Sequence, residues 1–234
     1  MTKNSIRFKQ FTALVVSCAA LAAVAAPRHI RPPTAHSYGH TLEEWAAFWC
    51  QRKAPFLRPD PAAETQCSFG QSGPVGFLAD GTPYSNLDEF HTNLRECIVP
   101  EGQALFFPIH YTFVFSTPDY PVTEDELRAR SSLYLSYNTN RQCEIDGRPI
   151  EHLERYRRQT PAFSFPWNGG GDIPAGPAVG VADGYWILLA PLPAGAHTIH
   201  IVSGAPGSDD YIDLLIRLTI VPASEYVPPH PGAD

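Results

Sequence analysis

From Tyr211 to Val221 the apolar residues fall on every second position. Ile212, Leu214, Ile216, Leu218 and Ile220 share one face, and Tyr211, Asp213, Arg217 and Thr219 share the other, where Leu215 is the one apolar exception. A period of two belongs to a half-buried strand; a helix would scatter the same residues around its axis. Upstream, Tyr185–Ala190 and His197–Val202 are strand-like runs separated by Pro191 to Gly195. Proline and glycine at that spacing predict a tight turn, so the segment reads as a β-hairpin followed by a third strand. Tyr185, Ile187 and Leu189 alternate with Trp186, Leu188 and Ala190, and both sets are apolar. That pattern predicts a central strand covered on both sides, with an N-terminal helix as its outer cover.

Residues 104–115, A-L-F-F-P-I-H-Y-T-F-V-F, are almost continuously apolar. They predict another strand buried on both faces, with a bulge or an edge position at Pro108. Val75–Leu78 and residues 142–150, which run into an Asp146-Gly147 turn, are further strand candidates, as is Arg155 to Phe165; Asn86 to Arg95 has a weak helical look. Two helices carry start signals. Thr41-Leu42-Glu43-Glu44 has the capping-box form and opens a helix to about Arg52, with Leu42, Trp45, Ala46, Trp49 and Cys50 on one stripe that Phe48 widens. Thr123 and Glu126 repeat the box, with Val122 and Leu127 placed as a hydrophobic staple, and predict a helix to about Leu133. The 24 prolines and 17 glycines fit many turns between short strands. The fold expected is mainly β: an antiparallel β-sandwich, immunoglobulin-like or jelly-roll-like, with one or two short helices packed on it. Residues 26–40 read as an extended lead-in, 41–221 as one sandwich unit, and the proline-rich 222–234 as a loose tail.

The N-terminus changes the picture. Lys3, Arg7 and Lys9 precede an uncharged run from Phe11 to Ala26 that ends in the small-residue site Ala23-Val24-Ala25, so residues 1–25 read as a secretory signal peptide. The competing reading is a lipoprotein box, Val15-Val16-Ser17-Cys18, with Cys18 lipidated, but the apolar run continues past Cys18. Cleavage would remove three cations and no anion, taking the formal charge from −7 to −10. So acidic a chain, with scattered arginines, offers no footprint for nucleic acid, and no transmembrane segment follows the cleavage site. The expected location is secreted or periplasmic. Cys50, Cys67, Cys97 and Cys143 would remain, and an oxidising compartment makes disulfides the default. Of the three possible connectivities, Cys67–Cys97 with Cys50–Cys143 is favoured, because Cys67 and Cys97 each sit beside a predicted strand. Zinc is the weaker use, as there is no C-x-x-C pair.

Several phrases also resemble a group of secreted bacterial proteins: Y-G-H-T-L-E-E-W-A-A-F-W (38–49), C-S-F-G-Q-S-G-P-V (67–75), C-I-V-P-E-G-Q-A-L-F-F-P-I (97–109), I-D-G-R-P-I (145–150) and V-A-D-G-Y-W (181–186). The likeness covers most of the chain after residue 25 and implies export, with an immunoglobulin-like C-terminal part, but no activity. That group more often carries tryptophan and glutamine after the second helical tryptophan, where this chain has Cys50.

Candidate chemistry is sparse. There is no G-x-S-x-G, H-E-x-x-H, phosphate loop or dinucleotide fingerprint. His110, with Glu89 and His91, is the one arrangement suggesting general acid–base work, against a plain buried histidine. His197 and His200 project to opposite faces of a strand and cannot share a metal. Asp172, Asp183, Asp209 and Asp210 lack calcium-loop spacing. Glu43 and Glu44 beside the helical tryptophans are better explained as cap and core. Trp167, beside the polar loop Asn168–Asp172, is the best candidate for an exposed aromatic, and Trp186 for a stacking platform if it is not core. The expected function is binding of a glycan or another cell-surface partner without catalysis, no cofactor and no metal being implied. The alternative is a glycosidase-like secreted hydrolase whose carboxylates and histidine meet only in the fold.

Overall fold

The computed structural model describes residues 29–54, 67–80, 93–204, 208 and 211–227. The expected signal segment, Cys18, Glu89, His91, Asp209, Asp210 and residues 228–234 lie outside them. Helix α1 spans Leu42–Lys53, β1 Ser68–Ser72, β2 Val75–Leu78, β3 Asn93–Pro100 and β4 Ala104–Ser116. Helix α2 spans Glu124–Tyr137, followed by β5 Arg141–Ile145, β6 Arg148–Pro149, a 3₁₀ turn Leu153–Tyr156, β7 Arg157–Gln159, β8 Phe163–Trp167, β9 Gly176–Leu189, β10 Gly195–Ser203 and β11 Ile212–Val221.

The strands form two sheets, ordered β1-β2-β4-β9-β7 with β8 also on β9, and β3-β11-β10-β5-β6. Most pairings are antiparallel; β2 with β4 and β3 with β11 run parallel. The two sheets face each other across one core, in which Phe107, Ile109, Ile187 and Leu189 of the first meet Ile199, Ile201, Leu214, Ile216, Leu218 and Ile220 of the second. The isoleucines and leucines of the alternating run therefore point inward, as their period requires. The outer face of the first sheet carries a second core, where Phe77, Phe106, Trp186 and Leu188 pack against Trp45 and Trp49 of α1. A sheet between two apolar layers explains why β4 and β9 are apolar on both sides.

Both helices start on reciprocal capping boxes. The Glu44 and Glu126 carboxylates accept from the Thr41 and Thr123 amides at 2.8 and 3.0 Å, and each threonine hydroxyl accepts the return bond at 3.3 Å. Helix α2 runs four residues beyond the predicted end because Leu127, Ser131 and Leu135 make a buried i, i+4 stripe. Ser131 hides that stripe in the sequence.

The predicted hairpin is not formed. β9 pairs with β4, β7 and β8, whereas β10 pairs with β11 and β5 in the other sheet. With both ladder sides of β9 occupied, the next strand has no free edge, and Pro191 to Ala194 carry the chain across the sandwich. The predicted strand 155–165 is likewise interrupted. Pro161 has no amide to donate, and at the break the Thr160 hydroxyl accepts the Ala182 amide at 3.0 Å. Pro108 marks a bulge: register shifts between Pro108 and His110 opposite Trp186 and Tyr185. The part of Asn86 to Arg95 that is described is strand. The lead-in bridges to the first sheet at Ile30 and Leu189, and Ser37 bridges to His40 within it.

Cys67 and Cys97 form the expected disulfide, but Cys50 and Cys143 are free, buried thiols. Cys50 belongs to the helix-side core and Cys143 to the inter-sheet core. The first sheet stands between them, which is why the second expected bridge is absent.

Candidate binding site

The aromatic residues singled out from sequence sit deeper than expected. Trp186 is 0% exposed. Its ring stacks on Phe106 at 5.8 Å and meets Trp49 at 5.9 Å, while its indole N–H donates to the Arg158 carbonyl at 3.0 Å. It is a core residue, out of reach of any ligand. Trp167 ends β8 on the face shared with Phe163 and Phe165, against Phe115 at 4.9 Å between ring centres. Its indole N–H donates to the Ile173 carbonyl at 3.4 Å, so the polar loop folds back over its own tryptophan. Gly170 and Ile173 close that loop with paired backbone bonds of 2.9 and 3.1 Å. The exposed members of the predicted set are Asn168 and Asp172.

What those two residues flank is a tyrosine that sequence reasoning missed. Thr117 and Tyr120 exchange backbone hydrogen bonds of 3.3 and 3.1 Å, forming a turn on which Tyr120 is 49% exposed. The Tyr120 hydroxyl donates to the Asp172 carbonyl at 3.1 Å and ties this turn to the loop. The available signal was the bracket Pro118-Asp119-Tyr120-Pro121, in which two prolines fix a short turn with an aromatic residue at its tip. Beside the turn runs a groove of about 740 Å³. Its floor is one cross-strand row, Ser164, Val179 and Ser116, on β8, β9 and β4. Pro118, Pro121 and Pro166 wall it, and among the described residues no charged side chain lines it. Val179 is 40% exposed, unusual for a β-branched residue in a central strand.

The remaining candidates are dispersed. His110 is buried beside the bulge, its Nδ1 3.3 Å from Ser203 Oγ and 3.4 Å from Asn138 Nδ2. His197 lies 2.8 Å from Asp146 and 3.0 Å from the Pro193 carbonyl, and His200 lies 2.9 Å from Asp213. Both are tied to neighbouring strands and turns. Among the described residues no group of three His, Cys, Asp or Glu converges as a metal site would require. Nor is any described helix long and apolar enough to cross a membrane.

Two polar clusters brace the first sheet. At the end of α1, Lys53 Nζ meets Asp80 at 2.6 Å and the Tyr111 hydroxyl donates to the same carboxylate at 2.9 Å. Burial, then the Asp80 charge, pushes the Tyr111 hydroxyl and the nearby Cys50 thiol well above their ordinary values. On the opposite face, Arg157 grips the buried Asp183 through two bonds of 3.1 and 2.8 Å, which raises the arginine further.

No protein-family model and no curated protein matches the chain. Among solved structures, a cysteine protease inhibitor, EhICP2, from Entamoeba histolytica is similar at 11% identity and a TM-score of 0.21, over 54% of this chain and 86% of that one. The solution structure of Amebosin is similar at 7% identity and a TM-score of 0.18, over 54% and 89%. Likenesses this distant carry no argument about the site.

Proposed function

We propose that this protein is exported and works by binding, without chemistry of its own, and that its ligand is an uncharged glycan segment lying along the groove beside Tyr120. The observation that carries the reading is the exposed Tyr120 ring, held by its hydroxyl to the Asp172 carbonyl, on the turn whose Thr117, Pro118 and Pro121 line the groove. A sugar presents one face of C–H bonds and a rim of hydroxyls. The tyrosine ring suits the face, and the hydroxyls of Ser116, Thr117 and Ser164 in the groove suit the rim. The groove's volume falls in the range of about 300–1,000 Å³ common for small-ligand sites. The signal-like N-terminus and the Cys67–Cys97 disulfide support encounter with such a ligand outside the cytoplasm.

Affinity electrophoresis through gels containing neutral polysaccharides tests this. At least one polysaccharide should retard the protein, and the retardation should vanish in Tyr120→Ala and Val179→Asp but survive in Trp167→Phe. The reading fails if no neutral polysaccharide retards the protein, or if both groove variants migrate as wild type does.

A further inference from the structure

A second hollow, of about 470 Å³, opens between α2 and β7 and is lined by Arg128, Arg157, Arg158, Ser132, Gln159 and Asp183. Three guanidinium groups around one small space run against the chain's formal charge of −7. Asp183 is buried, and both its oxygens accept from Arg157. Gln159 Oε1 accepts from Arg128 Nη1 at 3.0 Å, and the Gln159 amide donates to the Arg128 carbonyl at 2.9 Å and to Ser131 Oγ at 3.1 Å. Ser132 Oγ accepts from Arg157 Nη2 at 2.8 Å. The accepting atoms of the lining are therefore engaged. Arg128 Nη1 also donates to the Thr160 carbonyl at 3.1 Å, so the hydrogens still available to the hollow are those on Arg157 Nη1, one on Arg128 Nη2 and that of the Ser132 hydroxyl, and all belong to donors.

We propose that this hollow is an oxyanion site, taking a phosphate, sulfate or carboxylate group. A lining whose spare hydrogens all belong to donors is complementary to such a group. The Arg157 fork is pre-organised: Asp183 holds it in plane, while the guanidinium keeps 38% of its side-chain surface exposed. Arg128 Nη1 is fixed by Gln159 Oε1 and the Thr160 carbonyl, whereas its Nε and Nη2 meet a Glu124 carboxylate that is 54% exposed, and an incoming anion competes for that contact at little cost. Arg158 is committed to Glu43 and to the Pro33 carbonyl, and contributes field more than contact. The site is separate from the groove. Asp183 lies four residues along β9 from Val179, about 14 Å at strand rise.

The test uses the full chain titrated with sodium phosphate, sodium sulfate and sodium acetate at ionic strength matched with chloride, followed by calorimetry. Ala129 lies exposed on the lip. Ala129→Glu places a carboxylate over the hollow without disturbing the helix, and Ala129→Gln is its uncharged control. At least one of the three anions should bind saturably. Affinity should fall tenfold or more in Ala129→Glu and in Arg128→Gln, and stay within twofold of wild type in Ala129→Gln. Binding of phosphate or sulfate alone identifies a tetrahedral oxyanion, and binding of acetate a carboxylate; both support the site. The proposal is overturned if none of the three binds beyond the chloride control. It is equally overturned if Ala129→Glu, with an unchanged unfolding midpoint, keeps wild-type affinity.

Discussion

Gly184 sits in the middle of the longest strand pairing among the described residues, beside the bulge of β4. A Cβ added there would lie 2.6 Å from Tyr111 Cβ, 2.9 Å from the His110 carbonyl oxygen and 3.0 Å from Trp186 Cε2. None of these is the loose end of a flexible chain: one is backbone, one is a Cβ and one is a ring atom locked in the core. Gly184→Ala must therefore push β4 and β9 apart, and overpacking of this kind costs about 1–3 kcal/mol. Gly176, at the start of the same strand, meets nothing within 4 Å and has an ordinary φ, so alanine there is free of strain. Both substitutions stiffen the unfolded chain alike, by about 0.4–1 kcal/mol. That contribution cancels in the comparison, and the difference between the two variants is the clash itself, about 1–3 kcal/mol. Guanidinium unfolding measures it, as a lower midpoint for Gly184→Ala than for Gly176→Ala at equal m. Midpoints that coincide would mean the two strands have slack at the bulge, and the account of a tightly packed β4–β9 centre would be wrong.

Four further outcomes are expected. Replacing Cys67 and Cys97 together by alanine opens a loop of sequence separation 30 and should cost about 3–4 kcal/mol by the loop-entropy argument, read from the unfolding free energy. Cys50 and Cys143 should resist Ellman's reagent in the native protein and react once it is denatured; rapid native reaction would contradict their burial. Burial raises both thiols and the Tyr111 hydroxyl, so folded values lie above unfolded ones. Their stabilising effect is whole below about pH 8.5, the ordinary thiol value, and is lost as pH climbs beyond it; melting temperature should drop from pH 8 to pH 10.5, less so in Cys143→Ala. Asp80→Ala strips a partner from both Lys53 and the Tyr111 hydroxyl in a mostly covered site and should cost about 1–3 kcal/mol, with an Asp80→Asn variant losing less.

The sequence showed best those features whose cause is local. The inward face of β11, the double burial of β4 and β9, the bulge at Pro108 and both capping boxes each follow from a few adjacent residues. The path between β9 and β10 did not, because a proline-bearing turn is compatible with a hairpin and with a crossing. Only the occupied ladders on both sides of β9 decide between them. Ser131 interrupts the stripe of α2, so the last turn, held by Leu135, could not be read. The candidate site was half legible: Asn168 and Asp172 are at the surface, yet Trp167 turns under the loop and Tyr120, from another segment, takes the exposed place. The arginine hollow was invisible. Arg128 stands 29 residues before Arg157 in sequence, and they meet only because α2 packs beside β7.

The pairing of β3 with β11 joins Leu94 to Leu215, and that of β4 with β9 joins Phe107 to Ile187. Neither sheet can close while the chain is still being made, since each awaits a strand from the last third. Contacts that distant make folding slow. A chain whose two sheets both wait for the last third keeps its apolar strands unpaired until most of it has been made.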